Sequence, residues 1–214
     1  MGHQPEPVVD EAPDASGQTA PRSIEELMST LSTSGRVTVH QIGDARFIAY
    51  LPGPDGGTGR RLRLVGGDPS TYAAQALAAI ETAVGDTPGA TVMLVGSAAG
   101  GVAAAEIASA AASAMFTVDQ VVTAGAPSAQ VPALPEGTRM LSLEDRADPV
   151  ALLGSLISAG STNRLVVVFD GGNDGGKGVS QDAYVLGGRA ADQADNPDLR
   201  AEISRIQALG YLAG

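Results

Sequence analysis

The sequence predicts an α/β fold in which a mostly parallel sheet is covered by helices on both faces. Short runs that are apolar throughout, such as VMLV at 92–95 and VVVF at 166–169, alternate with segments of helical periodicity. Strands of this kind are typical of parallel sheets, because the connecting helices bury both of their faces. Two alternating runs near the start, 36–42 and 46–51, are separated by a Gly-Asp turn and predict an antiparallel hairpin at one edge of the sheet.

The order of these segments predicts one domain over 22–214 that follows a linker. Residues 1–21 mix proline, acidic and small residues without periodicity, so we expect them to be disordered. Ser23 has two glutamates in the turn that follows it, which is a helix N-cap signal. The expected elements are, in order, a helix at 23–32, strands at 36–42 and 46–51, an extended piece at 60–65, a helix at 72–84, a strand at 91–95, a helix at 101–114, strands at 120–123 and 139–143, a short helix at 152–157, a strand at 164–169, and helices at 181–192 and 197–208.

Composition excludes several classes of function. The chain has 214 residues, of which 43% are hydrophobic, and it carries a net charge of −11 with a sequence pI of about 4.4. Such an acidic chain lacks the Lys/Arg face that nucleic acid or an anionic membrane surface requires. It has no cysteine, which excludes disulfides, thiolate metal sites and cysteine nucleophiles. We therefore expect no metal, no cofactor and no nucleic-acid partner.

Neither a signal peptide nor a transmembrane segment is predicted. No apolar run approaches the roughly 18 residues that span a bilayer, and no basic segment precedes an apolar core near the start. We therefore expect no direct membrane insertion. The sequence leaves the compartment open: cytoplasmic by default, or the cell envelope or the exterior if the chain works inside a larger system.

The segment GSAAGG at 96–101 carries the most informative motif. It lies between an apolar strand and an Ala-rich helix, as does the G-x-S-x-G nucleophile elbow of serine hydrolases. Ala98 occupies the central position, where the serine stands in that motif, and Ser97 comes one residue too early. The two histidines of the chain, His3 and His40, both precede the elbow, so nothing after it can act as a histidine base.

This segment is one of four that match a known pattern in the same order along the chain. The four read LVGSAAGG, VVTAGAP, LSLEDRADPV and NPDLRAEISRIQALGYLAG. Together they resemble a family of actinobacterial α/β-hydrolase domains that is distantly similar to lipases and cutinases. The patterns of that family read LVGHSQGG, VVTAGSP and LSLEHRxDPVP, followed by a histidine shortly before a Tyr-Val pair. The resemblance covers about 22–214 and implies an α/β-hydrolase-like fold.

The resemblance also implies a catalytic triad of which two members are missing. The nucleophile position falls on Ala98, and the acid position falls on Asp148, which is retained. The histidine position falls at 179–181, where the central residue is Ser180. Several losses scattered along the chain indicate natural decay of the site rather than one engineered change. The residues that the resemblance places around the pocket and the oxyanion hole are Pro52, Gly53, Ser97, Ala99 and Ala126.

We therefore predict a catalytically inactive hydrolase-like domain with a binding or structural role. Its partner would be another protein, a second copy of the chain, or a small apolar ligand in the vestigial pocket. The alternative is an active esterase or lipase-type enzyme that uses Ser97 or Ser180 as nucleophile, with Asp148 or Lys177 as base. A third alternative is an architectural part of a larger assembly, tethered by the acidic first segment. At the elbow itself, a structural turn without chemistry is the simpler interpretation.

Other polar segments have simpler roles available. The Gly-rich run at 171–178 fits G-x-x-x-x-G-K but lacks the hydroxyl residue that a phosphate-binding loop uses for Mg²⁺, which favours a flexible loop. Three aspartates near this loop do not have the spacing of a calcium-binding loop, so solvation is favoured over a cation site. The residues expected to be solvated, or to lie at an edge or surface, are Asp170, Asp174, Asp182, Glu144, Asp145 and His40.

Overall fold

The computed structural model describes residues 18–54, 69–110, 115–127, 130–146, 163–171 and 181–214. Within these ranges the chain forms one six-stranded sheet and five helices. The strands are β1 (Thr38–Gly43), β2 (Arg46–Leu51), β3 (Thr91–Ser97), β4 (Thr117–Ala124), β5 (Arg139–Asp145) and β6 (Arg164–Phe169). The helices are α1 (Ile24–Thr33), α2 (Pro69–Val84), α3 (Ala99–Ala110), α4 (Gln181–Gln193) and α5 (Pro197–Ala208).

The strands follow one another across the sheet in the order β1-β2-β3-β4-β5-β6. β1 pairs antiparallel with β2, and the other neighbouring strands pair parallel. The predicted α/β class, with a mostly parallel sheet and an antiparallel hairpin at the N-terminal edge, is therefore confirmed. Because β2 to β6 run in the same direction, their carboxyl ends lie along one edge, where open α/β sheets place their ligand sites.

The element boundaries lie close to the predicted positions. β3 and β5 extend beyond the predicted ends at 95 and 143, because pairing with the neighbouring strand continues past the apolar run, as between Ser97 and Ala124. α3 begins at Ala99 rather than at 101, directly after the turn. The predicted extended piece at 60–65 and the predicted helix at 152–157 lie outside the described residues.

The sheet buries one apolar cluster on each face. Side chains alternate between the two faces along a strand, so β2 to β5 each contribute to both clusters. On one face, α1, α4 and α5 cover a cluster whose larger members are Tyr50, Met93, Leu141, Phe169 and Tyr211. On the other face, α2 and α3 cover Phe47, Leu94, Val121 and Met140. The buried side of α3 consists mostly of alanine and glycine, which lets this helix lie close against the sheet.

Helix α1 is capped by a residue that is distant in the sequence. Asp192, near the end of α4, accepts hydrogen bonds from the backbone N–H groups of Ile24 (3.0 Å) and Glu25 (3.0 Å). Ser23 Oγ accepts a third, from the N–H of Glu26 (3.2 Å). The first N–H groups of any helix lack partners within the helix, so these oxygens satisfy donors that would otherwise need water.

We expect Asp192→Ala to lower the free energy of unfolding by about 1–2 kcal/mol, because it removes the carboxylate that both caps α1 and faces the positive end of its dipole. Urea unfolding followed by circular dichroism measures the change. Asp195→Ala, which removes an exposed carboxylate from the segment after α4, is the matched control and should change stability by less than about 0.5 kcal/mol. Equal effects of the two substitutions would contradict the capping role.

The two acidic residues that end β5 are buried, so the expectation that they are solvated loop charges is wrong. Glu144 and Asp145 are 1% and 2% exposed. Both residues belong to β5, and each contacts a residue in β6 or just after it. Glu144 lies 3.5 Å from the guanidinium of Arg164, and Asp145 accepts a hydrogen bond from the N–H of Gly171 (3.2 Å). Burial lowers the pKa of Arg164, and the charge of Glu144 offsets part of that effect.

Both ends of the described chain contact the same side of the domain. Tyr211, after α5, donates a hydrogen bond to the carboxylate of Asp119 (2.6 Å), whose pKa is raised by burial. The N–H of Ala213 donates to the carbonyl of Pro21 (2.9 Å). Residues 18–21, from the end of the predicted linker, thus have a defined position, while 1–17 lie outside the described residues. None of the helices in the described ranges is long and apolar enough to cross a membrane.

Candidate functional site

The turn between β3 and α3 has the strand-turn-helix form of a nucleophile elbow. Ala98 is its central residue, with a φ of +49°, and it is the one non-glycine residue with positive φ in the described ranges. Its N–H donates to the carbonyl of Ala124 (3.0 Å), and its own carbonyl accepts from the N–H groups of Gly101 (3.0 Å) and Val102 (3.3 Å). The residue is exposed. A methyl group therefore stands where a working elbow presents its nucleophile.

Glycines allow β3, α3 and the end of β2 to approach one another at this turn. A Cβ at Gly96 would collide with the backbone of Gly100, and a Cβ at Gly100 would collide with the carbonyl of Leu51. A Cβ at Gly101 would lie 2.8 Å from the Cβ of Ala126. A left-handed φ costs an alanine about 1–2 kcal/mol. The close packing on both sides of the turn is what holds Ala98 in that conformation.

Ser97, the candidate for an unusual nucleophile, has its hydroxyl bonded to the main chain. Its Oγ donates to the carbonyl of Pro52 (3.1 Å), and the residue is 8% exposed. As the last residue of β3, it connects the elbow to the loop that follows β2. In this arrangement the hydroxyl donates its hydrogen bond to a backbone carbonyl, whereas an activated serine donates to a side-chain base that can accept the proton.

The loop that follows β2 offers its first amide at Gly53, because Pro52 has no N–H. That amide donates to the hydroxyl oxygen of Tyr72 (2.9 Å), which reaches it from the first turns of α2. Gly53 has a φ of +94°, a region that favours glycine. Burial raises the pKa of Tyr72, so the phenol is protonated at neutral pH. A carbonyl or anionic ligand that approached this amide would have to displace the tyrosine oxygen.

The two remaining pocket candidates, Ala99 and Ala126, also lie at this turn. Ala99 is exposed and is the first residue of α3, a position whose backbone N–H has no partner within the helix. In the elbow pattern the residue after the nucleophile supplies an oxyanion donor from this group. Ala126 is buried, and its methyl group packs at Gly101. The structure thus brings Pro52, Gly53, Ser97, Ala98, Ala99 and Ala126 together around the end of β3.

The histidine that the structure describes lies far from the elbow. His40 is in the edge strand β1, paired with Ile48, which in turn pairs with Met93 in β3. Met93 precedes Ala98 by five positions, which is about 16 Å along a strand. The His40 ring packs edge-to-face on Tyr50, with ring centroids 5.1 Å apart, and burial lowers its pKa. His40 therefore matches the expected edge residue and is not a base for this site.

Several predicted site residues lie outside the described part of the chain. They are the retained acid position Asp148, the histidine position Ser180 and the candidate base Lys177, together with His3. Their roles stay predictions. Asp170 is exposed, as expected. In the ranges that the structure does describe, no group of three His, Cys, Asp or Glu side chains could hold a metal ion.

The sequence did not predict the contacts of two residues near the strand ends, Tyr72 and Asp145. Tyr72 gave no local signal, since its contact with Gly53 links a helix to a loop that precedes it. Asp145 did give a signal. Residues two apart on a strand share a face, so Leu141, Leu143 and Asp145 all lie on the same buried side of β5. Reading that alternation through to the end of the strand would have predicted a buried carboxylate.

Comparisons with known proteins give one similar structure. The chain is similar to the structure of an alpha-beta serine hydrolase homologue from Coxiella burnetii, with a TM-score of 0.43 and 14% sequence identity, over 74% of this chain and 67% of that chain. No protein-family model matches the chain, and no curated protein matches it. Because these comparisons show no family for the chain, the geometry of the turn between β3 and α3 defines the candidate site.

Proposed function

We propose that this chain is a hydrolase-like domain that has lost hydrolysis and acts by binding or by assembly with a partner. The observation that carries the proposal is Ala98, a methyl group at the centre of an elbow whose strained backbone is kept. The proposal takes up the resemblance to actinobacterial lipase- and cutinase-like domains. Strain of this kind is typical of functional turns, so an elbow without its nucleophile fits descent from an active site.

Two further features support the loss of hydrolysis. The chain has no histidine after His40, so a serine near the elbow would lack the imidazole that accepts its proton in a triad. The first amide after β2, that of Gly53, is bonded to the phenol oxygen of Tyr72. An oxyanion hole works through donors aimed at the developing charge, and this donor is already satisfied within the protein.

The binding role follows from what the turn presents instead. Ala98 and Ala99 are exposed side by side and carry no polar side-chain atom, and Tyr72 closes the loop beside them. This surface suits a small apolar ligand or an apolar side chain of a partner protein, including a second copy of the chain. An active esterase built on Ser97 or Ser180 is the competing proposal.

The deciding experiment is intact-mass analysis after incubation with a fluorophosphonate, with turnover of short-chain nitrophenyl esters followed in parallel. We expect neither an adduct nor turnover from the folded protein, since loss of a triad nucleophile or base lowers kcat by about 10⁶-fold. Ala98→Ser restores the hydroxyl at the elbow and is expected to stay inactive for want of the histidine. A stoichiometric adduct on Ser97 or Ser180, with turnover, would establish the competing enzyme.

A further inference from the structure

Strand β1 lies at the N-terminal edge of the sheet and has one neighbouring strand, β2. All six residues of β1 are partly exposed, whereas five of the six residues of β2 are buried. On the outer side of β1, the carbonyl of Gln41 accepts a hydrogen bond from the N–H of Gln18 (2.9 Å). Elements that bury little apolar surface open at the lowest free energy, so β1 can separate from β2 without unfolding the rest of the sheet.

His40 joins this strand to the core. It pairs with Ile48, and its ring packs edge-to-face on Tyr50, with ring centroids 5.1 Å apart. Ile48 and Tyr50 are 0% and 1% exposed and belong to the cluster that α1, α4 and α5 cover. A charge placed against apolar groups is costly unless an opposite charge pairs with it. The packing of the ring on this cluster therefore favours the neutral imidazole over the imidazolium.

The charged groups around His40 do not offset that preference. The titratable and charged residues of the neighbouring elements are Tyr50 and Arg46 on β2, Glu25 and Glu26 on α1, Arg22 before α1 and Asp44 in the hairpin turn. Glu26 lies 3.7 Å from Arg22, and Glu25 lies 2.7 Å from Arg189. Burial lowers the pKa of His40, and no charge among these described residues counteracts it.

We propose that β1 is an acid-sensitive edge of the domain. When His40 takes up a proton, its ring leaves Tyr50, β1 separates from β2 more often, and the carbonyl of Gln41 releases Gln18. The same change loosens the segment at 18–21 that leads into α1. No step involves the elbow, so the proposal holds whether or not the chain has lost hydrolysis.

The direction of the pH effect follows from which form of β1 binds the proton more tightly. Because burial lowers the pKa of His40 in the closed form, the open form takes up the proton more readily. The closed form is fully favoured above the ordinary histidine pKa of 6.5, and this advantage is lost as the pH falls through the lower pKa of the closed form. His40 is the one histidine in the described ranges, and histidine is the side chain that ordinarily changes charge between about pH 5 and 8.

Two measurements on the complete chain test the proposal. The ¹³Cε1 resonance of the His40 ring, followed by NMR between about pH 8 and pH 5, gives its pKa, which we expect below the ordinary value. Hydrogen exchange gives the protection of the β1 amides, corrected for the intrinsic rate at each pH. Relative to β4, this protection should fall by about tenfold for each unit by which the pKa of His40 lies below its value in an unfolded chain. A ring that titrates at or above the ordinary value, or protection of β1 that does not change with pH, would overturn the proposal.

Variants identify the group that responds to acid. His40→Gln keeps a polar side chain without the change of charge and should abolish the pH dependence of β1 protection. His3→Gln, the same substitution at the other histidine of the chain, should leave that dependence intact. His40→Lys carries a charge throughout the pH range and should lower β1 protection even at its alkaline end. A pH dependence that survives in His40→Gln would overturn the proposal, because another group would then be its source.

Discussion

Gly100→Ala is expected to lower the free energy of unfolding by about 3 kcal/mol or more, which is a large part of the 5–15 kcal/mol of a typical domain. The added Cβ would collide with the carbonyl of Leu51 and with the amide of Gly53. Both are main-chain atoms at the end of β2, so no side-chain rotation can relieve the overlap. Urea and thermal unfolding measure the loss, and a variant that does not accumulate as folded protein is the extreme form of the same result.

Ala98→Gly is the matched control, two residues away in the same turn. It removes a Cβ from a residue at φ +49°, where glycine is at ease. We expect stability to rise by about 0.5–1 kcal/mol, the relief of strain less the added freedom of the unfolded chain. A Gly100→Ala protein as stable as the original would show that α3 does not lie against β2 as described.

The second large effect is expected at the buried ion pair between β5 and β6. The side chains of Glu144 and Arg164 are 1% and 6% exposed. Glu144→Leu leaves the guanidinium in this buried position without its carboxylate and should destabilise the protein by about 3–5 kcal/mol. Adding Arg164→Met should recover most of that loss, because two apolar side chains of similar size can replace a buried pair at little net cost. A double-mutant cycle measured by urea unfolding gives the coupling.

A neighbouring hydroxyl explains why the recovery should be large but not complete. Ser142 Oγ accepts from Arg164 Nε (3.1 Å) and from the hydroxyl of Thr123 (3.0 Å). In the double variant Ser142 keeps the hydrogen bond from Thr123, so its hydroxyl oxygen still has a partner within the protein. The loss of the first accounts for about 1 kcal/mol.

An exposed ion pair provides the comparison. Glu25 and Arg189 approach to 2.7 Å, closer than the buried pair, yet their side chains are 33% and 53% exposed. Glu25→Gln should change stability far less than Glu144→Leu does, because water screens the exposed pair and solvates either partner left alone. If removal of Glu144 costs no more than removal of Glu25, burial of the pair does not contribute as argued.

Local patterns were enough to predict the architecture. The alternating runs that became β1 and β2, the apolar runs of the parallel strands, and the glycine-rich turn around Ala98 each act over a few residues. The sequence also indicated that this turn is unusual, because glycines on both sides of a small residue indicate that two backbone segments approach closely. Asp148 and Ser180, the positions that the resemblance alone assigns to the acid and the histidine of a triad, lie outside the described residues.

What the sequence could not provide was the partner of each buried polar group. Nothing in the sequence near Glu144 indicates that Arg164 of β6 lies beside its carboxylate. Nothing near Gly53 indicates that its amide donates to Tyr72 of α2. In both cases the deciding group belongs to another element, and its distance depends on how sheet and helices pack, which no local pattern records.

The capping of α1 by Asp192 bears on when this domain can form as it is made. The first helix receives two of its N-terminal acceptors from Asp192 of α4, and the carbonyl of Pro21 accepts from the N–H of Ala213. During synthesis, α1, the hairpin and the elbow leave the ribosome well before Asp192 and Ala213 have been made. Until the late helices are made, α1 has only its local cap from Ser23, and one face of the sheet is only partly covered. Folding that depends on such distant contacts is slow, and a truncated product would keep one apolar face of its sheet open to solvent.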